Sequence, residues 1–228
     1  MWHKIVRRCY NFFYKPWCLY IISRDRWYRY KTFSIYIRKG VFHPGLFYST
    51  HFLLDELERE NLAGKTLLEL GAGSGLISIQ SAVNGAEVTA TDVSVLAIKG
   101  LQDNLTHVRK TFPQLQLHIL HADLFDGIPV QPFDYIIINP PYYPRKPKTE
   151  AEFAWYCGEE FEYFEKLFSA LSSYMQPSTR VWMSMSEDCN VLRIEAIAVR
   201  NKLAIQLKST RLYMGEKNMI YQIVHHKM

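Results

Sequence analysis

A doubly wound α/β fold with a seven-stranded, mostly parallel sheet is predicted for this chain by three observations. From residue 66 onward, short apolar runs alternate with longer amphipathic stretches. The first run, Thr66 to Leu70, passes directly into the glycine-rich turn Gly71-Ala72-Gly73-Ser74-Gly75. The last two apolar runs have no helical stretch between them, so the final strand is expected to run antiparallel.

The elements follow in order. Strands are predicted at 66–70, 86–91, 115–121, 134–138, 179–185, 203–209 and 219–226. Helices are predicted at 75–84, 94–109, 158–175 and 188–200, with an earlier helix from Thr50 to about Glu60 that Gly64 closes. Lys208 to Asn218 reads as a hairpin connection with Gly215 near its tip. Before these, Phe33, Ile35 and Ile37 alternate with polar neighbours as in a strand, and 2–14 and 17–27 read as short helices separated by Pro16.

Composition divides the chain in two. Residues 1–40 carry ten Lys or Arg against one acid, and twelve aromatics, whereas the remainder is net negative. The expected division is a basic aromatic N-terminal cap over 1–40 and a main domain over 41–228. Interleaved cations and aromatics suit a packed cap, an RNA contact or an anionic lipid surface. No stretch has the roughly 18 apolar residues of a membrane span. Cys9, Cys18, Cys157 and Cys189 are far apart and show no metal-ligand spacing, so free thiols in a reducing cytoplasm are expected.

In a doubly wound sheet, ligands bind beyond the carboxyl ends of the strands. Gly71, Gly73 and Gly75 stand at the first strand end, where the backbone can approach a ligand. The G-x-G-x-G spacing has Leu76 where a dinucleotide fingerprint has its third glycine, which opposes a nicotinamide dehydrogenase. Glu69, Asp92 and Asp123 stand at three consecutive strand ends. A carboxylate at Asp92 can accept both hydroxyls of a ribose, or it can cap the helix near Ser94.

Asp134 to Ile138 leads into Asn139-Pro140-Pro141-Tyr142 at the switch point of the sheet. An amide or aniline-like nitrogen is a poor nucleophile, because its lone pair is delocalised. The Asn139 side-chain carbonyl and the Pro140 backbone carbonyl can each accept one of its N–H groups, and Tyr142 offers a ring face. The prolines fix φ and lack an N–H, so the turn is rigid and rich in acceptors.

Together these segments resemble the class I S-adenosylmethionine (SAM) methyltransferases of the Asn-Pro-Pro-Tyr type, similar to the release-factor glutamine-N5 methyltransferases and related N6-adenine methyltransferases. The resemblance implies a Rossmann-like methyltransferase fold and SAM as cofactor, without a metal. It implies that Glu69 helps hold the methionine part, that Asp92 meets the ribose, and that Asp123 meets the adenine amino group. Gly71, Ala72, Gly73, Gly75, Leu76, Val93, Leu124 and Asn139 complete the implied cofactor set. Phe42, Pro44 and Thr50 match a lip and helix over SAM. Asn139, Pro140 and Tyr142 are the implied catalytic residues. The acceptor is then a protein glutamine, in a translation factor or ribosomal protein, or a nucleic-acid base in RNA. The same motifs also fit a non-catalytic SAM- or RNA-binding module. His43 reads as lip packing rather than as a base.

Overall fold

The computed structural model describes residues 23–226. Its main sheet has seven strands: β3 (Thr66–Leu70), β4 (Glu87–Asp92), β5 (Leu117–His121), β6 (Tyr135–Ile138), β7 (Arg180–Ser186), β8 (Leu203–Tyr213) and β9 (Glu216–His225). They lie in the order β5-β4-β3-β6-β7-β9-β8. The first five in that order pair in parallel, and β9 runs antiparallel to both β7 and β8. The helices are α1 (Tyr48–Leu57), α2 (Leu76–Val83), α3 (Val95–Arg109), α4 (Glu162–Leu171) and α5 (Val191–Arg200). The predicted doubly wound class and the antiparallel last strand are both observed.

The central strands are apolar on both faces because helices cover both faces. Side chains alternate across the pleat, so neighbours on one strand enter different cores. Leu67 and Ile137 join one cluster with α1, α2 and α3, while Leu68, Leu70, Ile136 and Ile138 join a second with α4 and α5. Glu69 shares the parity of Leu67 and is buried.

Four expectations are corrected. The helix expected at 17–27 gives way at its end to β1 (Arg26–Tyr30), which pairs antiparallel with β2 (Phe33–Ile37) through a turn at Lys31 with φ of +46°. Aromatic density favours a strand where cross-strand packing is available, and Trp27 lies edge-on to Tyr36 at 5.3 Å. Residues 1–22, including the helix expected at 2–14, lie outside the described residues. Second, the span 208–218 is mostly strand: β8 runs to Tyr213 and β9 starts at Glu216. Met214 and Gly215 alone turn the chain, both at positive φ, as a tight two-residue hairpin requires.

Third, Gly64 does not close α1, which ends at Leu57; Gly64 at φ +70° turns the chain into β3 and donates to the Gly85 carbonyl at 2.9 Å. Fourth, the helix expected over 158–175 is shorter, because Gly158 and Phe161 at positive φ hold a turn before α4 begins at Glu162.

The β1–β2 hairpin is braced on the main domain. Phe33, Ile35 and Ile37 are buried in the first core. The Asn104 side chain on α3 accepts from the Tyr36 amide at 2.6 Å, and donates to the Tyr36 carbonyl at 3.0 Å and the Ser74 carbonyl at 3.1 Å. One side chain thus ties the hairpin, α3 and the glycine turn together. On the other side, buried Glu56 of α1 pairs with Lys208 of β8 at 2.9 Å, and the Lys208 ammonium sits 4.5 Å from the Trp182 ring centre. That clamp holds α1, and the lip before it, against the sheet edge.

Candidate active site

A cleft of about 470 Å³ opens at the carboxyl ends of β3, β4, β5 and β6. One wall is the turn after β3. Gly71 and Ala72 donate to the Thr91 carbonyl at 2.9 and 2.8 Å, which stitches the turn to β4. Gly71 and Gly73 take positive φ (+75° and +54°), and their backbone lines the cleft.

Gly75 differs from the expectation: it is not among the lining residues. A Cβ there would fall 2.0 Å from Leu101 Cδ1, and its φ is +81°. It is glycine so that α2 and α3 can approach. Gly75→Ala is therefore expected to destabilise the fold by about 1–3 kcal/mol, a typical overpacking cost. Urea unfolding checks this; an unchanged midpoint would show that Leu101 moves aside freely.

The three carboxylates all line the cleft but differ in surroundings. Glu69 is buried, accepts from the Ser78 hydroxyl, and its carboxyl is pushed up to about 8 by burial, against the opposing effect of that hydrogen bond. Asp92 Oδ2 accepts from the Gly73 amide and Oδ1 from the Ser94 amide, both at 2.8 Å. Burial raises its pKa too, although these two amides favour the charged form. The cap of α3 is Ser94, whose Oγ accepts from Ala97 at 3.1 Å, so Asp92 is not the helix cap. Asp123 is more exposed and pairs with Lys166 Nζ at 2.7 Å, a lysine shared with Asp126 at 2.6 Å. Leu124 beside it lines the cleft at φ +56°, and Leu76 and Val93 line it as well.

The lip supplies Phe42, Pro44 and Thr50 to the same cleft. His43 is packed beneath it, with Nδ1 accepting from the Gly45 amide at 3.2 Å and its ring edge-on to Tyr28 at 5.5 Å. Burial lowers its pKa.

The opposite wall is the turn after β6. Asn139, Pro140 and Tyr142 line the cleft, as expected from sequence. Asn139 Oδ1 accepts from Ser184 Oγ at 2.6 Å. The Tyr142 ring lies against Tyr143 at 4.7 Å, and burial raises its hydroxyl pKa well above the usual phenol range.

Phe47, Glu150 and Trp155 line the cleft without having been expected from sequence. Phe47 stacks on the expected Phe42 at 4.6 Å, and Trp155 meets Phe42 and Phe47 at 5.6 and 4.9 Å. Trp155 follows a 3₁₀ turn over Glu150–Ala154 in the loop after the motif. Glu150 in that turn accepts from Ser94 Oγ at 2.7 Å and the Leu96 amide at 3.2 Å. Lip and loop thus meet over the cleft mouth. Tyr163, on α4, also lines it. The aromatic run Phe153 to Tyr156 was the available signal for the loop, whereas nothing local marks Ser184. The loop after the motif carries three cations, Arg145, Lys146 and Lys148; the Arg145 guanidinium sits 5.2 Å from the Tyr156 ring centre, and Lys146 lines the cleft.

Chemically, the cleft offers a buried carboxylate, a second held by two amides and a third at the rim. Facing them across the cavity is a rigid turn of carbonyl acceptors.

A model of the methyltransferase small domain matches residues 32–156. The ribosomal RNA small subunit methyltransferase C of Alcanivorax borkumensis is 28% identical over 156 residues, covering 64% of this chain and 42% of that protein. The release factor glutamine methyltransferase of Gloeobacter violaceus is 37% identical over 84 residues, covering 36% of this chain and 28% of that protein. The chain spans less than half the length of these curated relatives. Among solved structures, the T. thermophilus 16S rRNA N2 methyltransferase with AdoMet and guanosine has a TM-score of 0.59 at 20% identity, over 87% of this chain and 50% of that one. That likeness establishes the fold. The family model spans more than half of the sequence, from β2 through the glycine turn and the Asn139 motif, and the chain belongs to the methyltransferase small domain family of SAM-dependent methyltransferases.

Proposed function

We propose that this chain transfers a methyl group from SAM to a planar nitrogen, either a side-chain amide or an exocyclic base amine. The observation that carries this reading is the placement of Asn139 and Pro140 on one cleft with Glu69, Asp92 and Asp123. Glu69 would hold the ammonium of the methionine part, Asp92 the ribose hydroxyls and Asp123 the adenine amino group. The Asn139 side-chain carbonyl and the Pro140 carbonyl would take the two N–H groups of the acceptor. The lone pair would then face the sulfonium methyl, and proton loss would be favoured. Orientation of this kind supplies roughly 7–11 kcal/mol of barrier lowering in favourable cases. The nitrogen lone pair would form the new bond to the methyl carbon, the S–C bonding pair would stay on sulfur, and the proton displaced from nitrogen would pass to solvent water. SAM itself supplies the driving force, and the chain's residues bind, orient and exclude water.

The acceptor is a macromolecule of the translation apparatus in this reading. The relatives' names supply two classes, ribosomal RNA and a release-factor glutamine. The basic loop with Lys146 and Lys148 favours RNA by charge. Residues 41–228 form the methyltransferase domain in this proposal, and the basic segment before them meets the anionic surface of the substrate. Among the described residues no helix is long and apolar enough to cross a membrane. Cys157 and Cys189 are free and buried.

Glu69 gives this reading a pH signature. Its folded pKa of about 8 lies above the ordinary 4.5, so the empty protein holds a proton there at neutral pH. The bare fold therefore loses stability as pH rises between those two values. An ammonium ligand favours the carboxylate, so binding releases the proton. SAM affinity is expected to rise by up to about tenfold per pH unit from pH 6 to 8 and then level off. Glu69→Gln should abolish that slope. Calorimetry across this range checks it; a flat wild-type profile would remove Glu69 from the ammonium site.

A further inference from the structure

A carboxamide on a soft χ2 torsion does not choose its own orientation. We propose that Ser184 is the positioning residue that sets the Asn139 carboxamide for the acceptor. This rests on the reading of Asn139 given above.

The geometry comes from the sheet. Ile138 of β6 is in parallel register with Met183 of β7, so the next residues, Asn139 and Ser184, stand side by side where β6 ends. On its other side Ser184 is in register with Ile220 of β9. Strands flank it on both sides, and it is only 3% exposed, so its hydroxyl has little freedom. Its Oγ donates to Asn139 Oδ1 at 2.6 Å. One lone pair of that oxygen is thereby engaged and the amide plane is fixed. The second lone pair remains to accept an acceptor N–H.

A second cavity, of about 40 Å³, adjoins the cleft and is lined by Asn139, Tyr142, Ser184, Glu216 and Asn218. Ser184 thus reaches Asn139 from the side of this small cavity, while Asn139 also lines the main cleft. The hydroxyl gives the site its sense: it holds a carbonyl ready for a donor and so selects nitrogen acceptors that bear N–H.

The test compares wild type, Ser184→Ala, Ser184→Thr and Asn139→Ala in methyl transfer to small-subunit ribosomal RNA and to release factor, with SAM affinity measured by calorimetry. Ser184→Ala is expected to lower kcat about tenfold, the worth of one such hydrogen bond, with SAM affinity within about twofold. Ser184→Thr, which keeps the hydroxyl, should recover most of the rate. An unchanged kcat in Ser184→Ala beside an inactive Asn139→Ala would overturn the inference and leave the proposed function standing. Full activity in Asn139→Ala would overturn the function itself. Parallel loss of SAM affinity and rate, or a Thr variant no better than Ala, would mark Ser184 as structural. A readout independent of any acceptor is the pair of Asn139 side-chain amide proton resonances, identified by their disappearance in Asn139→Asp. Ser184→Ala should shift both; unmoved resonances would overturn the proposal.

Discussion

Asn139→Ala is expected to lower methyl transfer by at least about a hundredfold while SAM affinity stays within a few-fold. The magnitude follows from removing one preorganised hydrogen-bonding group at a reacting centre, which costs on the order of 10²–10³ in rate. The asymmetry follows from place. Asn139 stands across the cleft from the glycine turn and the three carboxylates, and its side chain is hydrogen-bonded to Ser184 rather than to that wall. The side chain is partly exposed to the cleft, so truncation leaves no sealed void and should not unfold the sheet. Single-turnover transfer beside calorimetry separates the two effects. Equal loss of binding and turnover would show that Asn139 belongs to the cofactor site instead.

Asp92→Ala should have the opposite pattern, weakening SAM on the order of a hundredfold or more. Two effects add. The ribose would lose a carboxylate able to accept from both hydroxyls, and charge-assisted hydrogen bonds are worth about 1.5–3 kcal/mol each. The turn would also lose its pin, since Asp92 holds the Gly73 and Ser94 amides at 2.8 Å. Asp92→Asn isolates the charge: it retains an oxygen for one of the amides while removing the carboxylate. It should lie between wild type and Ala. Calorimetric affinity equal to wild type in both variants would take Asp92 out of the ribose site.

Much of this architecture was legible because it rests on local chemistry. The central strands are short and apolar between turn residues, so their positions and even the β3 bounds follow from pattern alone. The meeting of Glu69, Asp92 and Asp123 on one cleft was legible for the same reason: each carboxylate sits at a strand end, and topology brings strand ends together. What stayed hidden depends on tertiary partners. β8 beyond Leu207 is largely exposed and polar, and only its ladder with β9 makes it a strand. β1 is a strand because β2 lies beside it. Gly75 reads as a ligand-facing glycine within its motif, but Leu101, 26 positions later, decides its role. Ser184 is an ordinary strand serine in sequence; it matters because β7 lies next to β6. The Phe42–Phe47–Trp155 cluster likewise joins segments more than a hundred residues apart.

The most direct test of the central claim is transfer of labelled methyl from SAM into a cell extract by the purified protein. The extract is split between ribonuclease and protease treatment, with Asn139→Ala as control. Macromolecular label that depends on Asn139 is the expected result. Loss of that label with ribonuclease would identify a base amine, and loss with protease a side-chain amide. Tight SAM binding with no label in either fraction, or label undiminished in Asn139→Ala, would contradict it.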